Sequence, residues 1–258
     1  MTTIPPILTY CSLITQTLWI GQTTITTSKM CDPLPRMGRM RIDRRQPDLA
    51  QRPLSMANFL YKNDLPDDLD LGPIVAIDCE TMGLNPHRDR LCLVQMSGGD
   101  GNAHLVQVAR GQTEAPNLCK MLADPNVLKL FHFGRFDIAA MYHAFGTVTE
   151  PVYCTKIASK LVRTFTDRHG LKNLLEQLLK VDISKYQQMS DWGAEDLTNA
   201  QLDYAASDVL YLHQLREKLN VMLEREGRME IAQACFDFLP TRAKLDLEGW
   251  PEIDIFTH

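Results

Sequence analysis

Three short segments of this chain carry oxygen ligands at spacings that chemistry can use. The first is Asp78-Cys79-Glu80, which closes the apolar run IVAID over 74–78. Side chains two apart on a strand point to one face. Two carboxylates held together there repel each other and lose hydration, and both effects disfavour their charged forms. A divalent cation resolves that cost, and hard, oxygen-preferring Mg²⁺ or Mn²⁺ suits a carboxylate cluster. Taken alone, D-x-E is no more than a strand end running into an acidic turn. The second segment is His132-Phe133-Gly134-Arg135-Phe136-Asp137, in which Asp137 opens a helix. A lone Asp there is equally well explained as a cap or a partner for the helix dipole. The third is Tyr204-Ala205-Ala206-Ser207-Asp208, whose first and last residues share a helix face. Asp208 lies in an apolar stretch with no Lys or Arg three or four residues away. If buried, it needs an ion or a distant Arg as partner.

These segments need elements to hold them. Residues 74–78, 91–96 and 104–108 read as strands, and the gaps between them are too short for crossover helices. They are therefore expected to form an antiparallel meander. A helix over 116–123 is followed by a strand over 127–133, a helix over 136–145 and a short strand over 152–154. Beyond that the chain reads as helical, at 156–164, 171–179, 198–225 and 229–238. Leu202, Val209, Leu212, Leu215, Leu219 and Met222 recur with a helical repeat in the long one. The first carboxylate pair thus ends a strand, the second acid starts a helix, and the third lies on a long helix.

The bulk properties narrow the function. At 258 residues, 45% of them hydrophobic, the chain can bury one real core. Residues 1–55 hold seven basic and three acidic side chains, a net of +4, so the remainder carries −9 of the total −5. An acidic body argues against sequence-blind binding to long nucleic acid, which depends on many Lys/Arg–phosphate contacts. It leaves room for a short substrate held by metals and a few cations. Seven scattered cysteines with no C-x-x-C pair argue against a disulfide framework or a zinc knuckle and favour a reducing cytoplasm. No apolar stretch reaches membrane-spanning length. Residues 1–55, threonine-rich and then Arg/Pro-rich, are expected to be a disordered extension or a mis-assigned start, with the folded part over 56–258.

Four acids in three motifs, in the order D-x-E, D and Y-x-x-x-D, resemble the ribonuclease D-like branch of the exonuclease superfamily named for its four acidic residues. The tyrosine marks the subtype without a histidine at that position. The stretches 80–94, 131–137, 154–171, 190–192 and 204–213, with the closing GWPEIDIF, resemble the bacterial group called nanoRNase C. The resemblance implies a ribonuclease H-like α/β fold, a mixed five-stranded sheet flanked by helices with a helical C-terminal part. It implies a 3′–5′ exonuclease of short RNA working with two Mg²⁺ or Mn²⁺ ions, which stabilise the attacking and leaving oxygens. In that reading Asp78 bridges both ions, Glu80 and Asp208 complete one site, Asp137 serves the other, and Tyr204 orients the attacking water and helps take its proton, a role that needs its phenol pKa lowered by the nearby positive charge. It also implies a homo-oligomer, an octameric ring. DNA or structured RNA as substrate, and a silent RNA-binding scaffold, are the alternatives; the scaffold would need a lost carboxylate, and all four are present.

Substrate contacts are read with their ordinary explanations beside them. Leu84 either wedges between bases, as the resemblance implies, or covers the core. His132 either bonds the terminal sugar or phosphate or is a satisfied core histidine. Phe136 either stacks on a base or packs inside. Arg163, Arg168, His169 and Lys185 form a basic neighbourhood that either binds a 5′ phosphate or is solvated surface. Trp192 is expected to be a packing anchor.

Overall fold

The computed structural model describes residues 57–184 and 186–257. The expected extension over 1–55, and Lys185, lie outside them.

β2 (Ile74–Thr81), β3 (Leu91–Ser97) and β4 (Ala103–Gln107) form the expected antiparallel meander. β5 (Leu128–Phe131) joins β2 in parallel, and β6 (Val152–Cys154) joins β5 in parallel. Among the described residues the sheet has a sixth strand, β1 (Asn58–Lys62), parallel to β4 at the edge. The order is β1-β4-β3-β2-β5-β6, which corrects the expectation of five strands. The reason is local: β1 is five residues long and largely exposed, and its one neighbour on the sheet is 45 residues away in sequence. By contrast β3 is buried at every position, so LCLVQMS reads as one continuous run. A second anomaly is Lys129 in β5, which is fully buried. Its ammonium is pushed down to about 8 by burial, and it donates to the carbonyls of Asp124 and Glu150, fastening β5 to the connections on either side.

The helices are α1 (Pro116–Ala123), α2 (Arg135–Phe145), α3 (Thr155–Val162), α4 (Leu171–Leu174), α5 (Asn199–Val209), α6 (Leu212–Arg225) and α7 (Met229–Leu247). A π-helical turn over Leu175–Leu179 extends α4. α5 opens on a capping box, in which Thr198 Oγ1 accepts from Gln201 N and Gln201 Oε1 accepts from Thr198 N. Gln201 also donates to Asp191 O, which ties the start of α5 to the loop carrying Trp192.

Two helix boundaries differ from expectation. The helix expected over 198–225 breaks at Leu210–Tyr211 into α5 and α6. No Pro or Gly announces the break; tertiary contacts do the work. Asp208 lies beside the far end of β2, whereas His213 Nε2 donates to Ile74 O, at that strand's start, at 2.9 Å. α7, expected to end at 238, runs through Pro240 to Leu247. Pro lacks the N–H and crowds the preceding turn, but here it is buried with Leu239 and Ala243 against the core.

His213 packs on Gly99, where an added Cβ would come within 3.0 Å of the imidazole and where φ is +85°. Gly99→Ala is therefore expected to cost about 2–4 kcal/mol from left-handed backbone plus overpacking. Gly72→Ala, at φ +79° with open space around it, is expected to cost only about 1 kcal/mol. Denaturant unfolding of the two variants checks the difference; equal losses would show that the His213 contact does not constrain the β3–β4 turn.

Candidate active site

Because β2, β5 and β6 run parallel, their carboxyl ends share one rim of the sheet. The acids reach that rim from three directions: Asp78 and Glu80 from β2, Asp137 from the first turn of α2, and Asp208 from the last turn of α5. One carboxylate oxygen each from Asp78, Glu80 and Asp208 lie within 4.8 Å of one another. Asp137, 3% exposed, completes the group and accepts from the backbone N–H of Cys79 and from its own. A register shift at Glu80/Thr81 marks a bulge where β2 leaves its pairing with β3, the kind of irregularity that re-aims side chains beside a site.

The electrostatics are those of like charges confined together. Asp78 is held well above the ordinary carboxylate range, first by burial and then by Asp137, Asp208 and Glu80. Glu80 is pushed up to about 9, by burial and then by Asp208 and Asp137. Burial also pushes Asp137 up to about 8, against the two backbone donors. The Tyr204 hydroxyl donates to Asp208, and burial followed by the Asp208, Glu80 and Asp78 charges raises it above the usual phenol range. Such a group of oxygens, short of protons or cations, fits divalent Mg²⁺ or Mn²⁺ by donor type, spacing and unmet charge.

Gln95 is a residue that sequence reasoning missed. It lies opposite Asp78 on β3, is fully buried, and donates from Nε2 to Asp78 Oδ2 at 2.8 Å. Its Oε1 has no hydrogen-bond partner among the described residues. The available clue was a glutamine inside an otherwise apolar strand, which a half-buried sheet would have explained equally well.

The other expected residues differ in exposure and partners. Leu84, in the β2–β3 connection, is 85% exposed. His132 follows β5, and its Nδ1 lies 2.9 Å from Thr155 Oγ1, whose hydroxyl donates to Phe131 O. With the Thr155 hydroxyl proton directed to Phe131 O, His132 Nδ1 is the donor to Thr155 Oγ1. Phe136 is half-buried and Arg168 is exposed. His169 is half-buried, with Nδ1 2.9 Å from Ser159 Oγ. Arg163 is a correction. It is 2% exposed, and its guanidinium donates to Arg168 O, Ser159 Oγ and Gln177 Oε1. It fastens the loop before α4 and is not offered to a phosphate. Trp192 is buried, with its ring 6.0 Å from that of Tyr204, as a packing anchor should be.

Known proteins are similar to this chain in sequence and fold. The sequence profile of the 3′–5′ exonuclease family matches residues 61–224. The chain belongs to that family, in its ribonuclease D-like branch. A solved structure of Brucella melitensis NrnC with bound Mg²⁺ is 59% identical, with a TM-score of 0.76, and the match covers 79% of this chain and all of that one. NrnC bound to pGG is similar, at 60% identity and a TM-score of 0.77. Ribonuclease D of Granulibacter bethesdensis is 38% identical over 157 residues, 61% of this chain and 39% of the relative. The chain thus spans about two fifths of the length of the curated ribonuclease D relatives it matches.

Carboxyls raised in the native state bind protons that the unfolded chain, with ordinary values near 4, would release. Their contribution to stability is present below about pH 4 and is lost as pH rises toward the native value of about 9 for Glu80. Metal-free protein is therefore expected to lose stability across that window, and Mg²⁺ to flatten the loss. Denaturation midpoints against pH, with and without Mg²⁺, check this; a metal-free profile that rises toward pH 9 would contradict it.

Proposed function

We propose that the chain is a 3′–5′ exoribonuclease that cuts short oligoribonucleotides, down to dinucleotides, to nucleoside 5′-monophosphates. The observation that carries the reading is the meeting of Asp78, Glu80 and Asp208 within 4.8 Å, beside buried Asp137 and with Tyr204 bonded to Asp208. The length preference is supported by similarity to NrnC, which accounts for the whole of that chain and which binds pGG.

Two divalent cations, when bound, would supply Lewis-acid stabilisation of the attacking and leaving oxygens of the phosphodiester. Asp78, central among the acids, would hold them together with Glu80, Asp208 and Asp137. Gln95 holds Asp78 in one orientation. Tyr204 keeps its proton and donates it to Asp208, so its oxygen lone pairs can orient the attacking water. His132, which follows β5, is the candidate to bond the terminal sugar or phosphate. Leu84 stands out from the rim as a wedge between bases. Phe136, half-buried, offers an edge to a base. Arg168 and His169 are the described candidates for a 5′ phosphate, with Lys185 outside the described residues. The activity is assigned to the part after residue 55, in the cytoplasm, and to a homo-oligomeric ring.

A series of 5′-labelled RNAs from two nucleotides upward, run beside matching DNA, tests the proposal. Rates are expected to be highest for the shortest RNAs and to require Mg²⁺ or Mn²⁺. Flat rates across length and sugar would favour a broader exonuclease, the reading suggested by an Aquifex aeolicus DNA polymerase I that is 34% identical over 201 residues. Asp78→Asn and Asp208→Asn are each expected to lower turnover by at least ~10³-fold while the protein stays folded. Metal-dependent turnover persisting in either variant would remove the site assignment.

A further inference from the structure

The closing GWPEIDIF over 249–256 lies outside the acid cluster, yet its backbone reaches the helix that carries Asp137. Asp137 stands in the first turn of α2. That turn is the least secured part of a helix, because its N–H groups lack partners within the helix. At α2 the usual supports are missing. The N-cap is Gly134, and no side chain among the described residues caps the helix. The first helical residue is Arg135, a cation at the positive end of the helix dipole. Asp137 is the one acid in that turn, and its carboxylate is committed to the cluster. Neither capping nor dipole preference explains an arginine at this position.

Arg135 is gripped from outside its own helix. Its guanidinium forms a two-pronged pair with Asp246 near the end of α7, with Nε to Oδ2 at 2.5 Å and Nη2 to Oδ1 at 2.7 Å. Arg242, one turn back on α7, donates to the same Oδ1 at 2.8 Å. One carboxylate between two guanidiniums leaves positive charge and N–H donors in excess. The chain after α7 supplies the missing acceptors. Gly249, at φ +110°, turns it back. Trp250 O then accepts from Arg242 at 2.6 Å, and Pro251 O accepts from both Arg242 and Arg135. The Asp246 side chain is only 11% exposed, so this pairing is shielded from water as surface ion pairs are not. Residues two apart on a helix do not face each other. The grip therefore falls on the back of the turn that presents Asp137 to the acids.

We propose that Asp246, Arg242 and the terminal segment form a clasp on Arg135 that fixes the first turn of α2 and so positions Asp137 for metal binding. The three side chains are positioning residues, which act through Asp137. The clasp also gives the closing segment a use: its backbone carbonyls complete the shell around the two guanidiniums. The inference rests on the metal-site reading, but it can be measured without any nucleic acid.

The test is titration of the full chain with Mn²⁺ in the absence of RNA, followed by calorimetry, together with thermal unfolding of each variant. Asp246→Asn, which keeps the shape and removes the charge, is expected to weaken Mn²⁺ binding by about 10-fold or more, the scale on which groups that orient a metal ligand act. Arg135→Lys keeps a charge but loses the two-pronged fork, and is expected to weaken binding by a smaller factor. Leu118→Ala opens a cavity in α1, which contributes nothing to the site, and is expected to lower Tm while Mn²⁺ affinity stays at the parent value. Parent-like Mn²⁺ affinity in Asp246→Asn would overturn the proposal, as would an equal loss of affinity in Leu118→Ala, which would reduce the effect to general stability. Should Asp246→Asn fail to fold, Arg135→Lys decides the matter by the same comparison. A parent that binds Mn²⁺ but hydrolyses no RNA would instead sink the exonuclease reading and leave the clasp standing.

Discussion

Repulsion between carboxylates that the fold does not allow to move apart is the constraint on which the site depends. Asp78 and Glu80 leave one face of β2, Asp208 arrives on α5, and Asp137 is sealed beneath them. In water these groups would separate and hydrate. Here each is raised by burial and by its neighbours, so the metal-free arrangement carries a standing electrostatic cost. Protons relieve that cost at low pH; cations relieve it at working pH. The same confinement suits the site to hard divalent ions.

Rigidity comes from the elements behind the acids. Asp78 is bonded laterally to Gln95 on the fully buried β3. Asp137 is held by the backbone N–H of Cys79, the residue between the two β2 carboxylates, so the strand that presents one pair also fixes the third acid. α5 is fastened at its start by the capping box and the Gln201–Asp191 bond. Just past its end, His213 anchors α6 to Ile74 O. Asp208 therefore sits between two anchored points. Arg163 belongs to this class of residue: a buried cation used as a fastener rather than a ligand.

Much of this was legible in the residues. Ile74, Val75, Ala76 and Ile77 form a run that only a buried strand explains, and the acids ending it gave β2 its direction and its function together. The meander followed from gaps too short for a helix. What sequence could not supply were features decided by distant partners. β1 is a strand because β4 is there to pair with it. The helix break before α6 answers to His213 and Ile74, and α7 passes Pro240 because core packing outweighs local preference. Arg163 read as a phosphate ligand because charge is visible in a sequence and burial is not. Gln95 was overlooked for the converse reason: an amide in an apolar strand acquires meaning only when Asp78 is seen opposite it.

The most direct measurement is anomalous diffraction from crystals of the protein grown with Mn²⁺. The account predicts manganese peaks bound by carboxylate oxygens of Asp78, Glu80 and Asp208, with Asp137 adjoining and Gln95 still bonded to Asp78. Crystals in which Mn²⁺ binds elsewhere, while these carboxylates share protons with one another or pair with an arginine, would contradict it.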